Sequence, residues 1–219
     1  MRLNKYIALA TGLSRRAADD AIAAGRVQVG AQHAKLGDQV TETDTVAFDG
    51  KLLKPPEEVQ TIMLNKPAGY VCSRDGQGNK TIYELLPAKY HALKPVGRLD
   101  KDSSGLLLLT NNGTLAFELT HPSFQKEKHY EVTLDHALSK ADLNSIAKEG
   151  VRLADGASKL GLSALNNDNT VWKVTMAEGR NRQIRRTFEA LGYTVTKLHR
   201  THLGSYTLDA LKSGSYTEI

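Results

Sequence analysis

A chain of 219 residues, 40% of them apolar, can form one large domain or two modest ones, each with a hydrophobic core. The only cysteine, Cys72, excludes an internal disulfide, and no Cys/His group has zinc-finger spacing, so we expect a reducing compartment and no structural metal. A net charge of +5 and a pI near 9.2 permit binding to a polyanion without requiring it.

No segment of the sequence favours export or insertion into a membrane. Residues Met1 to Tyr6 lack the apolar core of a secretory signal, and no apolar run approaches the length of a membrane span. We therefore expect a cytoplasmic protein that makes no membrane contact.

The first fifty residues contain two helical patterns followed by strand patterns. Apolar residues between positions 2 and 24 have helical spacing that is interrupted at Gly12, and Ser14 suits the N-cap of the second helix. The segments Val27 to Val29 and Val46 to Phe48 resemble short strands. This part of the chain is predicted to form two helices and a small sheet.

Residues 54–58 contain two consecutive prolines, which favour an extended linker. We therefore predict domains at 1–54 and 59–219. In the second domain, strand patterns cover Thr61 to Leu64, Leu106 to Leu109, Tyr130 to Leu134 and Val171 to Met176, and helical patterns cover Thr114 to Thr120, Lys140 to Lys148 and Arg182 to Leu191. The mixture predicts the α+β class.

Asp100 stands in the segment with the most informative sequence. It lies between Gly97 and Gly105, two residues after Arg98, and the four leucines of Leu106 to Leu109 follow. Those leucines predict a strand buried on both faces. An ionised carboxylate beside so much hydrocarbon loses hydration, and a cation or several hydrogen-bond donors must compensate for that loss. The segment therefore predicts a functional carboxylate with a cationic partner.

Asp102 raises the alternative of a carboxylate pair, as in glycosidases or two-metal sites. The absence of further acidic or histidine ligands in the motif argues against a metal centre or a nuclease. A sugar-binding site would be expected to carry several tryptophans, whereas Trp172 is the only one. The Ser103-Ser104-Gly105 sequence favours a turn, so Asp102 is interpreted as a turn residue.

Basic residues are concentrated in two stretches. The first comprises Arg2, Lys5, Arg15, Arg16 and Arg26, and the second comprises Arg180, Arg182, Arg185 and Arg186. Arg15 and Arg16 fall in the first turn of a predicted helix, where the macrodipole disfavours cations. In the second stretch the arginines outnumber nearby acids and would repel one another without an anion. Phosphate binding and an ordinary solvated surface both remain open.

Three motifs near the N-terminus resemble the small RNA-binding module named after ribosomal protein S-four, also called the alpha-L motif. They are Arg-Leu-Asn-Lys-Tyr at 2–6, Gly-Leu-Ser-Arg-Arg-Ala-Ala at 12–18 and Ala-Gly-Arg-Val-Gln-Val-Gly-Ala at 24–31. The resemblance implies that both helices lie against structured RNA. It also implies phosphate contacts, which fix position more than sequence, from Arg2, Lys5, Arg15, Arg16 and Arg26.

Four further motifs resemble those of the pseudouridine synthases. They cover residues 63–71, 97–110, 126–132 and 178–186, and with the N-terminal module they resemble the ribosomal RNA branch, the RsuA family. The resemblance implies an isomerase that converts uridine to pseudouridine without a cofactor or metal. It also implies a monomer whose catalytic domain is a mixed, largely antiparallel sheet with flanking helices.

The same resemblance assigns roles to individual residues. Asp100 would be the nucleophile, attacking the ribose C1′ or the base, and Arg185 would be the guanidinium that favours its ionised form. Tyr130, which alone would be interpreted as an ordinary strand tyrosine, would stack on the uracil and take part in proton transfer. The remaining implied contacts are Leu198 on the other side of the pocket, Arg98 near the flipped nucleotide, and Arg180, Arg182 and Arg186 on RNA.

The sequence favours a large-subunit ribosomal RNA substrate, because the Asn-Arg at 181–182 is closer to the large-subunit enzymes of type B. The Leu-His-Arg-Thr at 198–201 resembles some small-subunit members, so that substrate is the nearest alternative. The expected partner is ribosomal RNA or a subunit assembly intermediate. A different class, a non-catalytic ribosomal RNA-binding or assembly factor, would be marked by loss of Asp100, Tyr130 or Arg185, all of which are present.

Overall fold

The computed structural model describes residues 1–41, 43–54 and 59–219. The chain divides into two compact units, Met1–Val59 and Gln60–Ile219. Of the predicted linker at 54–58, all but Lys54 lies outside the described residues. Within the described ranges, no helix combines the length and apolar character needed to cross a membrane.

The first unit is formed by two helices and a small antiparallel sheet. Its elements are α1 (Leu3–Thr11), α2 (Arg15–Ala23), β1 (Val27–Val29), β2 (Gln32–His33), β3 (Val46–Phe48) and β4 (Lys51–Leu52), and the strands are ordered β2-β1-β3-β4. Gly12 ends α1 with a φ of 77°, and the Ser14 hydroxyl caps α2 by accepting from the Ala17 amide at 3.0 Å. The predicted pattern of two helices and strands is confirmed.

The second unit is dominated by one large mixed sheet. The strands of this unit are β5 (Thr61–Lys66), β6 (Lys94–Pro95), β7 (Ser104–Thr110), β8 (Lys128–Leu134), β9 (Val151–Leu153), β10 (Gly156–Ser158), β11 (Gly161–Ala164), β12 (Val171–Met176), β13 (Val195–Leu203), β14 (Tyr206–Thr207) and β15 (Tyr216–Glu218). The sheet order is β11-β12-β8-β13-β7-β5-β15, with β14 on β13 and β6 on β7, whereas β9 and β10 form a separate hairpin. The β13–β7 pair is parallel and the other pairs are antiparallel, so the predicted fold class is confirmed.

The helices of the second unit are short. They are α3 (Gly113–Thr120), α4 (Lys140–Asn144), which continues as a π-helical turn over Ser145–Glu149, and α5 (Gln183–Glu189), with 3-10 turns at Ile82–Leu85, Ala88–Tyr90 and Pro122–Phe124. The helix predicted from Arg182 starts one residue later, because Arg182 has a left-handed φ of 45°. That conformation excludes Arg182 from the helix.

Strand β7 is the buried centre of this sheet, as its leucines predict. Leu107 and Leu109 belong to the main core on one face, whereas Leu106 and Leu108 belong to a second core that includes Leu119 of α3. All four leucines of the run are fully buried. Because both faces are covered, β7 provides a rigid mount for the loop that precedes it.

Gly105 permits the close approach of β7 and β13 directly after that loop. Its φ is 109°, and a Cβ at this position would lie 2.2 Å from the carbonyl oxygen of Arg200. Any other residue would force the two strands apart. The glycine therefore brings the start of β7 against the strand that carries Leu198 and Arg200.

Candidate active site

A cavity of about 460 Å³ lies in the second unit beside the loop that carries Asp100. Of the predicted site residues, six line it: Asp100, Tyr130, Arg98, Leu198, Arg180 and Arg182. Arg185 and Arg186 are not among its lining residues. In the described part of the chain, no group of three or more His, Cys, Asp or Glu side chains is arranged to hold a metal ion.

The Asp100 loop is held on both sides. Leu99, in the main core, donates its amide to the Cys72 sulfur at 3.4 Å and accepts from the same thiol at 3.2 Å. After Asp100, the Ser103 amide donates to the Asp100 carbonyl at 3.1 Å and closes a turn. The Asp100 side chain is 39% exposed. The loop thus presents an accessible carboxylate on a fixed backbone.

Lys66, the last residue of β5, is fully buried against this loop. Its Nζ donates to the carbonyls of Pro67, Asp100 and Ser103 at 3.1, 3.0 and 2.7 Å. Burial lowers the pKa of Lys66 below its ordinary value, an effect that neighbouring acidic groups oppose only in part. One ammonium group therefore satisfies three backbone acceptors beneath the candidate nucleophile.

Arg182 is the cation that contacts Asp100. Its Nη1 lies 3.3 Å from Asp100 Oδ2, and its two terminal nitrogens each donate to Asp102 at 3.2 Å. The hydrogen bond to Asp102 raises the pKa of Arg182 above its ordinary value, despite the opposing effect of burial. A single guanidinium thus bridges both carboxylates of the turn.

The expected direct pair between Asp100 and Arg185 is not formed. Arg185 donates from Nη1 to the Val195 carbonyl at 2.7 Å and from Nη2 to the Asp102 carbonyl at 3.1 Å. Its Nε lies 3.3 Å from Asp102 Oδ2 in an ion pair without hydrogen-bond geometry. Burial lowers the pKa of Arg185, and Asp102 opposes this effect. Arg185 follows Arg182 by about one helical turn of α5. Its side chain therefore reaches Asp102 and the Val195 carbonyl of β13 and not the Asp100 carboxylate.

Asp102 lies in a turn, as predicted, but its carboxylate has an additional role. Burial raises the pKa of Asp102, but the hydrogen bond from Arg182 and the charges of Arg185 and Arg182 outweigh it, so the net pKa lies below the ordinary value. The carboxylate ties the first turn of α5 to the loop that carries Asp100. It therefore helps to hold the two sides of the cavity together.

Replacing Asp102 with Asn should lower the free energy of unfolding at neutral pH and have little effect in acid. Because the folded-state pKa of Asp102 is depressed, its stabilisation is present above the unfolded-state pKa and is lost as pH falls through the folded-state value. Urea unfolding of the wild type and D102N at about pH 7 and about pH 3 measures this. Exposed Asp168 provides the control, D168N. A deficit of D102N that persists undiminished in acid would contradict the pairing.

Tyr130, Leu198 and Arg200 share one face of the sheet at the cavity. Tyr130 of β8 is paired in register with Arg200 of β13, and Leu198 lies two residues before Arg200, so all three side chains point to the same side. Arg200 is 3% exposed; its Nε donates to the Leu106 carbonyl at 2.8 Å, while its Nη2 has no hydrogen-bond partner among the described residues. The apolar walls thus meet a buried cation.

The second basic stretch has acidic partners that sequence analysis did not identify. Arg180 contacts the Asp155 carboxylate at 3.0 Å, and Arg186 donates to both Asp155 carboxylate oxygens at 3.1 and 2.8 Å. Arg180 also donates to the backbone carbonyls of Asp155, Gly156 and Ala157. The expected shortage of acids is therefore corrected. Asp155 and its hairpin hold both guanidiniums in place, and the RNA contacts expected of Arg180 and Arg186 stay a prediction.

The basic residues of the first unit differ in their availability. Arg26 makes a bidentate ion pair with Asp49 and lies over the Phe48 ring at 4.7 Å, so its guanidinium is already engaged. Within the described ranges, the Arg15 guanidinium donates to Asn4 alone, at 3.1 Å. Among the described residues, no ion pair or side-chain hydrogen bond engages the cationic groups of Arg2, Lys5 and Arg16; both arginines are exposed and Lys5 is half-buried.

The roles of Lys66, Arg200 and Asp155 are not evident from the sequence. Each belongs to a type that is usually exposed, and local sequence gives no sign that tertiary contacts bury it or engage its charge. The one available signal was at Lys66, which ends an apolar strand and precedes Pro67. A lysine at such a position is shielded when the next segment folds back over it.

Two family models match the chain. The model described as "RNA pseudouridylate synthase" matches residues 60–190, and the model described as "S4 domain" matches residues 1–46. The first match covers the loop of Asp100, the cavity-lining strands β8 and β12, and α5. The second covers both helices of the first unit, β1 and β2, and ends at the first residue of β3.

Curated relatives match along the whole chain. "Ribosomal small subunit pseudouridine synthase A" of Haemophilus influenzae is 37% identical, covering 100% of this chain and 96% of the relative. "Ribosomal large subunit pseudouridine synthase B" of Shigella flexneri is also 37% identical, covering 100% and 79%. "Dual-specificity RNA pseudouridine synthase RluF" of Escherichia coli strain K12 is 34% identical, covering 100% and 75%.

A solved structure described as "Crystal structure of pseudouridylate synthase" is also similar to this chain. Its TM-score is 0.71 at 36% identity, covering 100% of this chain and 96% of the other. The resemblance identified from the sequence is thus confirmed for the family and for the fold. With a family model matched over more than half of its residues, the chain belongs to the pseudouridine synthases, a family of isomerases, and its N-terminal unit carries an S4 domain.

Proposed function

We propose that this enzyme converts a specific uridine of ribosomal RNA to pseudouridine, with Asp100 as the nucleophile. One observation supports the assignment above all: a partly exposed carboxylate lies on a fixed loop at the cavity wall, 3.3 Å from an arginine. The guanidinium interacts favourably with the negative charge of a carboxylate nucleophile. The ribosomal substrate is supported by the names of two relatives, which specify the ribosomal subunits.

The chemistry requires a nucleophile and space in which a base can turn. Asp100 attacks the ribose C1′ or the uracil ring, the C1′–N1 bond breaks, and the uracil rotates within the pocket. A C1′–C5 bond then forms and the bond to the Asp100 carboxylate breaks. C5 loses its proton and N1 gains one, so all atoms are conserved and Asp100 is regenerated. The cavity of about 460 Å³ lies within the roughly 300–1,000 Å³ range of small-molecule pockets.

Three residues would hold the nucleotide around Asp100. Tyr130 would stack on the uracil and assist proton transfer, and Leu198 would close the opposite side. Arg98, an exposed residue that makes no ion pair or hydrogen bond within the described ranges, would bind a phosphate next to the flipped nucleotide. Extraction of a base from its stack costs about a few kcal/mol, which these contacts offset.

Arg182, at the N-cap of α5, and Arg185, within that helix, would have different roles beside Asp100. Arg182 contacts Asp100 directly, whereas Arg185 fixes the backbone of the turn through Asp102. Asp102 holds both guanidiniums, so the charge around Asp100 depends on the whole group. We therefore propose Arg182 as the direct partner of the nucleophile and Arg185 as a positioning residue.

The first domain, which we place at 1–54, would deliver the RNA to the second, which we place at 59–219. Arg2, Lys5, Arg15 and Arg16 would bind phosphates, because their charges have few internal partners. For the substrate, we favour large-subunit RNA, since the Asn-Arg at 181–182 is typical of that type. The small-subunit relative, similar over 96% of its length, supports the alternative.

Mapping pseudouridines in ribosomal RNA tests this function. Carbodiimide-dependent reverse-transcription stops are compared in cells with and without this protein. We expect one stop to disappear from large-subunit RNA and to return when purified protein acts on that RNA. A stop lost from small-subunit RNA would overturn the choice of subunit, and unchanged stops would favour a non-catalytic RNA-binding factor.

A further inference from the structure

Helix α3 has an aromatic residue on the side where a surface helix normally carries polar residues. Leu119 is buried in the second core, and Leu115 and Ala116 pack against it, which fixes the inner side of the helix. Phe117 faces away from that core and is 52% exposed. The core does not require this phenyl ring, so its exposure needs another explanation.

Phe117 is part of an exposed aromatic cluster with His121 and Phe124. The ring centroids lie 4.6 Å apart for Phe117 and His121, 5.6 Å for the two phenylalanines, and 6.4 Å for His121 and Phe124. Phe124 is 43% exposed, and His121 is also exposed. Two of the four phenylalanines in the chain therefore support each other on the surface instead of filling a core.

This cluster is continuous with the candidate active site. His121 lines the cavity together with its neighbours Thr120 and Pro122, so the aromatic surface begins where the cavity opens. The lining is strongly basic, with two acids, Asp100 and Glu178, and six cations: Arg98, Lys126, Lys128, Arg180, Arg182 and Arg200. A partner that combines planar apolar groups with negative charge would complement this rim.

We propose that Phe117, His121 and Phe124 form a stacking surface for unpaired RNA bases that flank the uridine in the cavity. The inference rests on the proposed function, because it requires a flipped nucleotide at Asp100. Every base has a π-face, so exposed rings bind single-stranded nucleotides with little sequence preference, while the basic rim holds the phosphates. Extraction of one base also leaves its neighbours unstacked, and the cluster would cover them.

Ring-specific substitutions separate stacking from simple apolar contact. F117L/F124L keeps most of the apolar surface but removes both rings, whereas F117Y/F124W keeps aromatic faces. In single-turnover assays with the ribosomal RNA fragment that the wild type modifies, F117L/F124L should raise the half-saturating concentration at least about fivefold. F117Y/F124W should stay within about twofold of wild type. L165A is the control, because Leu165 lies beyond β11, is 50% exposed and does not line the cavity. It should leave the half-saturating concentration unchanged.

Photocrosslinking identifies the occupant directly. With benzoylphenylalanine at position 117 or 124, we expect crosslinks to nucleotides within a few positions of the modified uridine, and none there from position 165. Crosslinks only to a protein, to a second copy of the chain or to distant nucleotides would overturn the proposal. Thermal unfolding of each variant verifies the fold.

Failure of this inference is distinguishable from failure of the proposed function. If the wild type forms no pseudouridine in ribosomal RNA, the function itself is wrong. If the wild type is active and F117L/F124L binds and reacts equally well, only the stacking surface is wrong. Equal losses in F117L/F124L and F117Y/F124W would indicate a shape requirement and would also contradict stacking.

Discussion

Replacing Asp100 with Asn should abolish pseudouridine formation and leave RNA binding unchanged. The side chains have nearly the same shape, but the amide cannot act as the nucleophile, so we expect the single-turnover rate to fall by at least about 1,000-fold. The loop should keep its structure, because Lys66 binds the Asp100 carbonyl and not its side chain. Pseudouridine content and RNA affinity are measured on the same preparation. D100A is measured as well, because deamidation of the new Asn would regenerate Asp100 and Ala cannot deamidate.

D102N is the matched control for this variant. Asp102 lies in the same turn and contacts the same Arg182, so its loss alters the local charge as D100N does. We expect D102N to retain activity within about tenfold of wild type, since it removes a contact that positions the loop and not the reacting group. If D100N still isomerises uridine, Asp100 is not the nucleophile.

Replacing Lys66 with Met should reduce both stability and activity. The three carbonyls of Pro67, Asp100 and Ser103 would lose their shared donor while remaining beside a buried side chain. Stranded acceptors outweigh the benefit of removing a buried charge, so we expect the free energy of unfolding to fall by about 2 to 5 kcal/mol. The released loop would misplace Asp100, and a displacement of about 1 Å can reduce the rate roughly 100-fold.

Lys101 provides the control for the Lys66 variant. It lies on the same loop, but it is exposed, and in the part of the chain that the structure describes its Nζ donates to Asn79 Oδ1 alone, at 2.7 Å. K101M should therefore leave the free energy of unfolding within about 0.5 kcal/mol of wild type. Urea unfolding and single-turnover kinetics measure both effects. Wild-type stability and rate in K66M would show that the buried ammonium does not hold the loop.

The sequence by itself determined the features that depend on local periodicity and local backbone preference. Four successive leucines predict that β7 is buried on both faces, because no amphipathic strand has that pattern. Ser14 and Gly12 predict the cap of α2 and the end of α1, since each acts within one helical turn. The motif around Asp100 identified the candidate nucleophile and the family, because glycines and charged residues at fixed spacing are a local signal.

Only the tertiary structure decided which charges meet. Asp155 binds Arg180 and Arg186 from a hairpin more than twenty positions earlier in the chain, and Lys66 lies beneath a loop that is distant in sequence. The partner of Asp100 is Arg182, whose left-handed backbone places it just outside α5 although the sequence predicts it to be the first residue of that helix. Ion pairing depends on distances of a few ångströms between separate segments, and a linear sequence does not contain those distances.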